Sequence, residues 1–169
     1  MIRDQRKVLL GAASGIASMA LAMWLLTSIL PHAHAPTAGD RLAYAAAANA
    51  GAAIVLFIMI AAVGNARFAS QAIDPTLGRE NQTMVVDGRV ADNTTQQFLI
   101  FAAATFGLAA NIGEDDLHVI TAAAIVFVAA RLLFWIGYRL HPLYRAFGFA
   151  ATAYLNAGLL VASAWLALR

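Results

Sequence analysis

Cysteine is absent from the 169-residue sequence. Its absence excludes disulfide bonds, thiolate nucleophiles on the protein and metal sites built from cysteine. Charge is also scarce, because 12% of the residues are charged, which is about half the share in a soluble domain. The basic residues behind the net charge of +2 are spread along the chain, so we expect no nucleic-acid partner.

Apolar residues dominate what remains, at 62% of the chain with a mean hydropathy of +0.72. Such a chain would expose large apolar patches in water, so we expect membrane lipid around it. Five segments are long enough for a spanning helix, which needs about 20 residues. A polar connection over 64–88 separates the second segment from the third. The sequence therefore predicts an all-α membrane protein with spans at 8–30, 42–63, 88–111, 117–138 and 146–168.

The first apolar segment has two possible interpretations. A basic start, an apolar run and Ala33-His34-Ala35 before Pro36 resemble a cleaved signal peptide. The run has 23 residues, however, whereas the apolar region of a signal peptide has about 7–15. We therefore favour a retained membrane anchor.

Arginine and lysine are distributed unequally between the two ends of a five-span bundle. Eight lie at the N-terminus, the 64–88 connection, the start of the third span or the 139–145 turn, and two lie at the opposite end. Positive residues concentrate on the cytoplasmic side, so we predict five spans with the N-terminus in the cytoplasm, in a bacterial inner membrane. The eight are Arg3, Arg6, Lys7, Arg67, Arg79, Arg89, Arg139 and Arg145, against Arg41 and Arg169.

Polar residues form a stripe on the third predicted span. Arg89, Asn93 and Gln96 are spaced by four and three residues, so they share one helix face. Such a face needs protein, water or a polar ligand beside it, since polar groups in lipid are costly. An alternative is that Arg89 only reaches toward the lipid headgroups and that the amides only join helices.

The fourth span carries a second polar face. Arg131 and Tyr138 are seven residues apart, and Arg145 follows in the next turn. Guanidinium and phenol groups suit carboxylates and peptide-like ligands. Because Arg131 lies deep in its span, we expect it to pair with Asp92 or another acidic residue rather than with a ligand.

Histidine occurs four times. His32 and His34 form an H-x-H pair in a predicted outer loop, but no further ligands cluster nearby in the sequence, so we expect no metal site. We interpret His118 and His141 as residues of the membrane interface.

From about residue 42, two blocks resemble the MAPEG family, the membrane-associated proteins of eicosanoid and glutathione metabolism. The block Arg89-Val-Ala-Asp-Asn93-Thr-Thr-Gln96 is similar to the family pattern R-x-x-x-N-x-x-E at the start of its second helix. The block Ala130-Arg131-Leu-Leu-Phe134-Trp-Ile-Gly137-Tyr138, with the later Arg145, is similar to A-R-x-x-Y-x-x-G-Y followed by an arginine.

The resemblance implies a four-helix membrane domain over 42–169, preceded by an additional N-terminal helix and outer loop over 1–41. It also implies a homotrimer that binds glutathione as a cosubstrate between neighbouring subunits, near the cytoplasmic face. In this interpretation Arg145 stabilises the glutathione thiolate. The expected glutathione contacts are Arg67, Arg89, Asn93, Gln96 and Tyr138.

Three features depart from the family pattern: Gln96 replaces a glutamate, Gln97 and Phe134 occupy positions where some members have tyrosine, and the first span has no counterpart. Two functions remain open at this point. One is a glutathione transferase or peroxidase acting on lipophilic electrophiles. The other is a non-catalytic accessory subunit that binds a membrane-protein partner through its first helix.

Overall fold

The computed structural model describes residues 3–169, and within this range it contains helices and no β-strand. The all-α prediction is therefore confirmed. A short 3-10 turn, Pro75–Leu77, lies in the connection between the second and third helices. The five α-helices are α1 (Arg3–Ile29), α2 (Ala38–Phe68), α3 (Gln82–Asn111), α4 (His118–Leu140) and α5 (Arg145–Ala167).

Helices α2 to α5 surround a common core. Helix α3 packs against α2, α4 and α5, and its Phe101 lies with its ring centroid 4.5 Å from that of Phe127 on α4. Many of the other core residues are alanines, which let the helix backbones approach closely where lipid gives no hydrophobic driving force. Helices α2 to α5 therefore form a four-helix bundle.

Helix α1 packs along α5 and α4. Its segment Gly11-Ala-Ala-Ser-Gly15 places two glycines one turn apart on the contact face. A Cβ added at Gly15 would collide with the carbonyl oxygen of Phe147, and one added at Gly11 would lie 3.4 Å from the Cβ of Ala146. The glycines thus allow a close helix–helix approach, and the predicted additional helix is docked against the bundle.

The outer faces of the helices are apolar, with Leu10, Phe57 and Val161 each 70% exposed. Four helices, namely α1, α2, α4 and α5, are long and apolar enough to cross a bilayer. Helix α3 has 30 residues, or about 45 Å, but its first half is polar. The chain is an integral membrane protein. The five-span topology stays a prediction, and Met1, expected in the cytoplasm, lies outside the described residues.

The predicted connection over 64–88 was too long at both ends. Helix α2 continues to Phe68, and α3 begins at Gln82. Asn81 caps α3 by accepting a hydrogen bond from the N–H of Met84 at 3.0 Å, which stabilises a polar helix start. The proposed domain boundary between residues 41 and 42 lies one turn inside α2 and stays a prediction.

We call residues 30–37 and 112–117 together the acidic end of the bundle. The N–H of Ala35 donates to the carbonyl of Glu114 at 3.0 Å, so backbone hydrogen bonding joins the two segments. Nδ1 of His34 lies 2.9 Å from Oδ1 of Asp115, and this hydrogen bond raises the pKa of His34 above its ordinary value. The opposite end, with residues 69–81 and 141–144, is called the basic end.

Candidate functional site

A groove of about 600 Å³ opens near the basic end, between α1, α3, α4 and α5. Its size lies within the range of small-molecule sites. Much of its wall is apolar and includes Phe134, Phe149 and Tyr154, and α1 contributes Val8 and Ala12. Four of the six site residues predicted from the sequence line it: Arg89, Asn93, Tyr138 and Arg145.

Tyr138 and Arg145 meet because the chain folds back tightly between α4 and α5. A Cβ on Gly137 would lie 3.0 Å from the carbonyl oxygen of Tyr144, so only glycine leaves ordinary room for this turn. Nη1 of Arg145 donates to the hydroxyl of Tyr138 at 2.8 Å, and the guanidinium lies 4.7 Å from the ring centroid. Because the tyrosine oxygen accepts this bond, its own O–H remains available to a ligand.

Asn93 is held by the fully buried Arg131. Nη2 of Arg131 donates to Oδ1 of Asn93 at 3.0 Å, and Nε donates to the hydroxyl of Thr94 at 3.1 Å. Nη1 lies 3.5 Å from the hydroxyl of Thr152 on α5. With its oxygen occupied, Asn93 offers the groove its Nδ2 group as a donor.

The expectation that Arg131 pairs with Asp92 or another acidic residue is wrong. Within residues 3–169, Arg131 forms no ion pair, and Asp92 is exposed. The guanidinium of Arg131 instead lies 4.1 Å from the ring centroid of Phe134. Neutral acceptors and an aromatic face therefore stabilise the buried cation, which the spacing of charged residues could not reveal.

Asp87 was not identified from the sequence, because it lay in the predicted connection. Arg139 donates to its two carboxylate oxygens at 2.8 and 2.5 Å, and Nε1 of Trp135 donates at 2.7 Å. Asp87 is buried, so this two-point ion pair ties α3 to α4 beside the groove. Trp135 and Arg139 are four residues apart on α4 and share one helix face, and this spacing could have indicated that they bind a common acidic partner.

Arg67 and Gln96 do not line the groove. Nε of Arg67 donates to Glu80 at 2.7 Å across the α2–α3 connection. Gln96 is exposed on the surface of α3, whereas its neighbour Gln97 is buried and accepts a hydrogen bond from Asn156 at 2.8 Å. Within one chain, the structure thus separates Gln96 and Arg67 from the other four predicted residues.

The fold and groove define a helical membrane protein with a cationic, partly apolar site near one end of its bundle. The family model of the MAPEG family matches residues 44–165, and the chain therefore belongs to the MAPEG family. No curated protein matches the chain significantly. Membership supports a membrane role that is glutathione transferase-like or related, since the family generally uses glutathione and is typically trimeric.

The donors that line the groove suit the carboxylates of glutathione better than its amino group. Two guanidinium groups, from Arg89 and Arg145, match a tripeptide with two carboxylates, and the Asn93 amide and Tyr138 hydroxyl add further donors. The glutathione amino group needs an acceptor, yet no carboxylate lies among the groove residues within 3–169. A bound glutathione would therefore find cationic donors for its carboxylates in one chain, but no carboxylate for its amino group among the groove residues.

Proposed function

We propose that the protein is a membrane-bound, glutathione-dependent transferase or peroxidase acting on lipophilic electrophiles. The observation that carries the proposal is the gathering of Arg89, Asn93, Tyr138 and Arg145 around one groove. Arg89 and Asn93 would bind a glutathione carboxylate or peptide group by charged and neutral hydrogen bonds. The apolar wall would hold the electrophile, which reaches the groove from the bilayer.

Arg145 is assigned to the thiol. A neighbouring cation lowers the pKa of a thiol, and the thiolate is the nucleophile. In the transfer, the thiol proton passes to solvent, the sulfur–carbon bond forms, and the leaving group departs with its electron pair. The hydrogen bond from Arg145 to Tyr138 would hold the guanidinium in place, so that little reorganisation is needed during the reaction.

The assembly proposed for this function is a homotrimer with glutathione between neighbouring subunits. Gln96, exposed on α3, and Arg67 at the end of α2 could then contribute to a site that a neighbour completes. The basic end would face the cytoplasm, as the eight-to-two distribution of basic residues indicates.

The test is glutathione conjugation to a chloronitrobenzene by the full chain in detergent. We expect Arg145→Ala to lower kcat by about 10- to 150-fold, the equivalent of a charged hydrogen bond of about 1.5–3 kcal/mol. Loss of the cation raises the pKa of the bound thiol, so the rising limb of the pH–rate profile should move to higher pH. Glutathione binding should change only modestly.

Arg79→Ala is the matched control, because Arg79 is an exposed arginine near the same end and does not line the groove. Its rate and pH profile should equal those of the wild type. If Arg145→Ala kept the wild-type kcat and an unshifted pH–rate profile, the proposed role of Arg145 in stabilising the thiolate would be contradicted.

A non-catalytic accessory subunit is the second candidate. Glutamine replaces the family's glutamate at position 96, and Arg67 is engaged by Glu80 rather than facing the groove. In this role α1 would contact a membrane-protein partner. Absence of any glutathione binding by the folded protein would favour it over the enzyme.

A further inference from the structure

A second group of chemically active side chains lies far from the groove, at the acidic end. The α1–α2 connection supplies His32, the α3–α4 loop supplies Asp116, and His118 is the first residue of α4. Backbone hydrogen bonding between Ala35 and Glu114 holds these two segments together without help from the side chains concerned. No further potential ligand lies close to His32 along the sequence, whereas the fold places Asp116 and His118 beside it.

The three side chains have the spacing of a metal site. One ring nitrogen from each of His32 and His118, and one carboxylate oxygen of Asp116, lie within 4.8 Å of one another. The two imidazole rings are 4.3 Å apart between centroids. Zinc ligands at about 2.0–2.2 Å from the ion lie about 3.4 Å from one another, so modest side-chain rotations would close the site.

The carbonyl of Asp115 organises both histidines. Nδ1 of His32 lies 3.0 Å from this oxygen, and Nδ1 of His118 lies 3.4 Å from it. A carbonyl oxygen can only accept, so each ring would donate its Nδ1–H and keep an Nε2 lone pair. Metal-binding histidines are commonly oriented in this way, with the other ring nitrogen donating to a backbone carbonyl.

We propose that His32, Asp116 and His118 bind one divalent transition-metal ion such as zinc. Two imidazoles with one carboxylate favour a transition metal over calcium or magnesium, which prefer oxygen ligands. Three protein ligands leave one tetrahedral position to water. His32 precedes the family-matched region 44–165, whereas Asp116 and His118 lie inside it, so the ion would clamp the additional helix to the family bundle.

The experiment is a zinc titration of the full chain in detergent. The protein is purified without a polyhistidine tag, stripped with EDTA and titrated with Zn²⁺ by calorimetry, while Co²⁺ absorption reports the ligand geometry. We expect saturation at a single zinc per chain and a rise in the unfolding temperature. His32→Gln and His118→Gln should each weaken Zn²⁺ binding at least about tenfold, since losing even a group that only orients a ligand costs about 10- to 100-fold.

His34→Gln is the matched control, because His34 is an exposed histidine two residues away that does not belong to the proposed ligand set. It should keep wild-type affinity, as should His141→Gln at the basic end. The metal-free variants should unfold at the metal-free wild-type temperature, which separates ligand loss from misfolding.

Three results would overturn the proposal. One is the absence of saturable zinc binding, and another is wild-type affinity in both His32→Gln and His118→Gln. The third is loss of binding in His34→Gln alone, which would place any ion at the other cluster, His34 with Glu114 and Asp115. Because the readout involves no glutathione, these results are independent of the proposed enzyme activity.

Discussion

At the scale of single residues, the groove is lined by four side chains that carry hydrogen-bond donors: Arg89, Asn93, Tyr138 and Arg145. Arg145 is fixed by Tyr138, and Asn93 is fixed by the buried Arg131. Arg89 is an exposed residue of α3 that lines the groove. A groove rich in donors and without a carboxylate favours an anionic ligand, and it leaves an amino group without a charged partner.

Gln96→Glu tests where that amino group binds. If a neighbouring subunit brings position 96 to the site, the new carboxylate should form a charged hydrogen bond in place of a neutral one. We expect glutathione affinity to rise about tenfold, because charged bonds exceed neutral ones by roughly 1.4 kcal/mol. Calorimetry on the folded protein in detergent measures this change. Unchanged affinity, with Gln96 outside the groove of its own chain, would contradict a site completed between subunits.

Some of these residues could be identified from the sequence, and others could not. The family blocks grouped Arg89, Asn93, Tyr138 and Arg145. Helical spacing indicated only that Arg89 and Asn93 share one face of α3, because spacing along a helix is kept in the fold. The partners of Arg131 and Asp87 depend on contacts between α3, α4 and α5. Spacing within one helix does not carry that information.

At the scale of the helices, α4 and α5 approach so closely at Gly148 that a Cβ there would lie 2.5 Å from the carbonyl oxygen of Ala130 and would also collide with the N–H of Phe134. Both obstacles are backbone atoms, which cannot rotate away. We expect Gly148→Ala to lower stability by about 1–3 kcal/mol, as overpacking usually does. Thermal unfolding in detergent measures the effect.

Gly158→Ala, on the same helix, is the control. Beyond its chain neighbours and the nearby backbone of α5, no atom lies within 4 Å of a Cβ added at Gly158, and alanine is the better helix former by about 1 kcal/mol. Its unfolding temperature should therefore equal or exceed that of the wild type. If Gly148→Ala unfolded at the same temperature as Gly158→Ala, close packing at this seam would not stabilise the bundle.

Helix positions were largely predictable, since apolar runs of about 20 residues are unambiguous in so hydrophobic a chain. The start of α3 was not, because Gln82, Thr83 and Asp87 read as a loop. The Asn81 cap and the Asp87–Arg139 ion pair make that polar segment helical. Both interactions are visible only once the helices are placed.

At the scale of the whole molecule, the additional helix does more than lengthen the chain. Through Val8 and Ala12 it closes one side of the groove, and through the 30–37 segment it meets the α3–α4 loop at the other end. Residues 3–37 therefore contribute to the groove through α1 and to the proposed metal site through His32, although they lie outside the family-matched region. In the proposed homotrimer, a neighbouring subunit would complete the groove.

Glutathione titration of the folded protein, with its proposed trimeric mass checked by native mass spectrometry, tests the central claim most directly. The wild type should show saturable binding. Arg89→Ala should weaken it about 10- to 150-fold, because Arg89 would donate a charged hydrogen bond worth about 1.5–3 kcal/mol to a carboxylate. Should wild type, Gln96→Glu and Arg89→Ala all form folded trimers that bind no glutathione, the enzyme function would be contradicted and the accessory role would replace it.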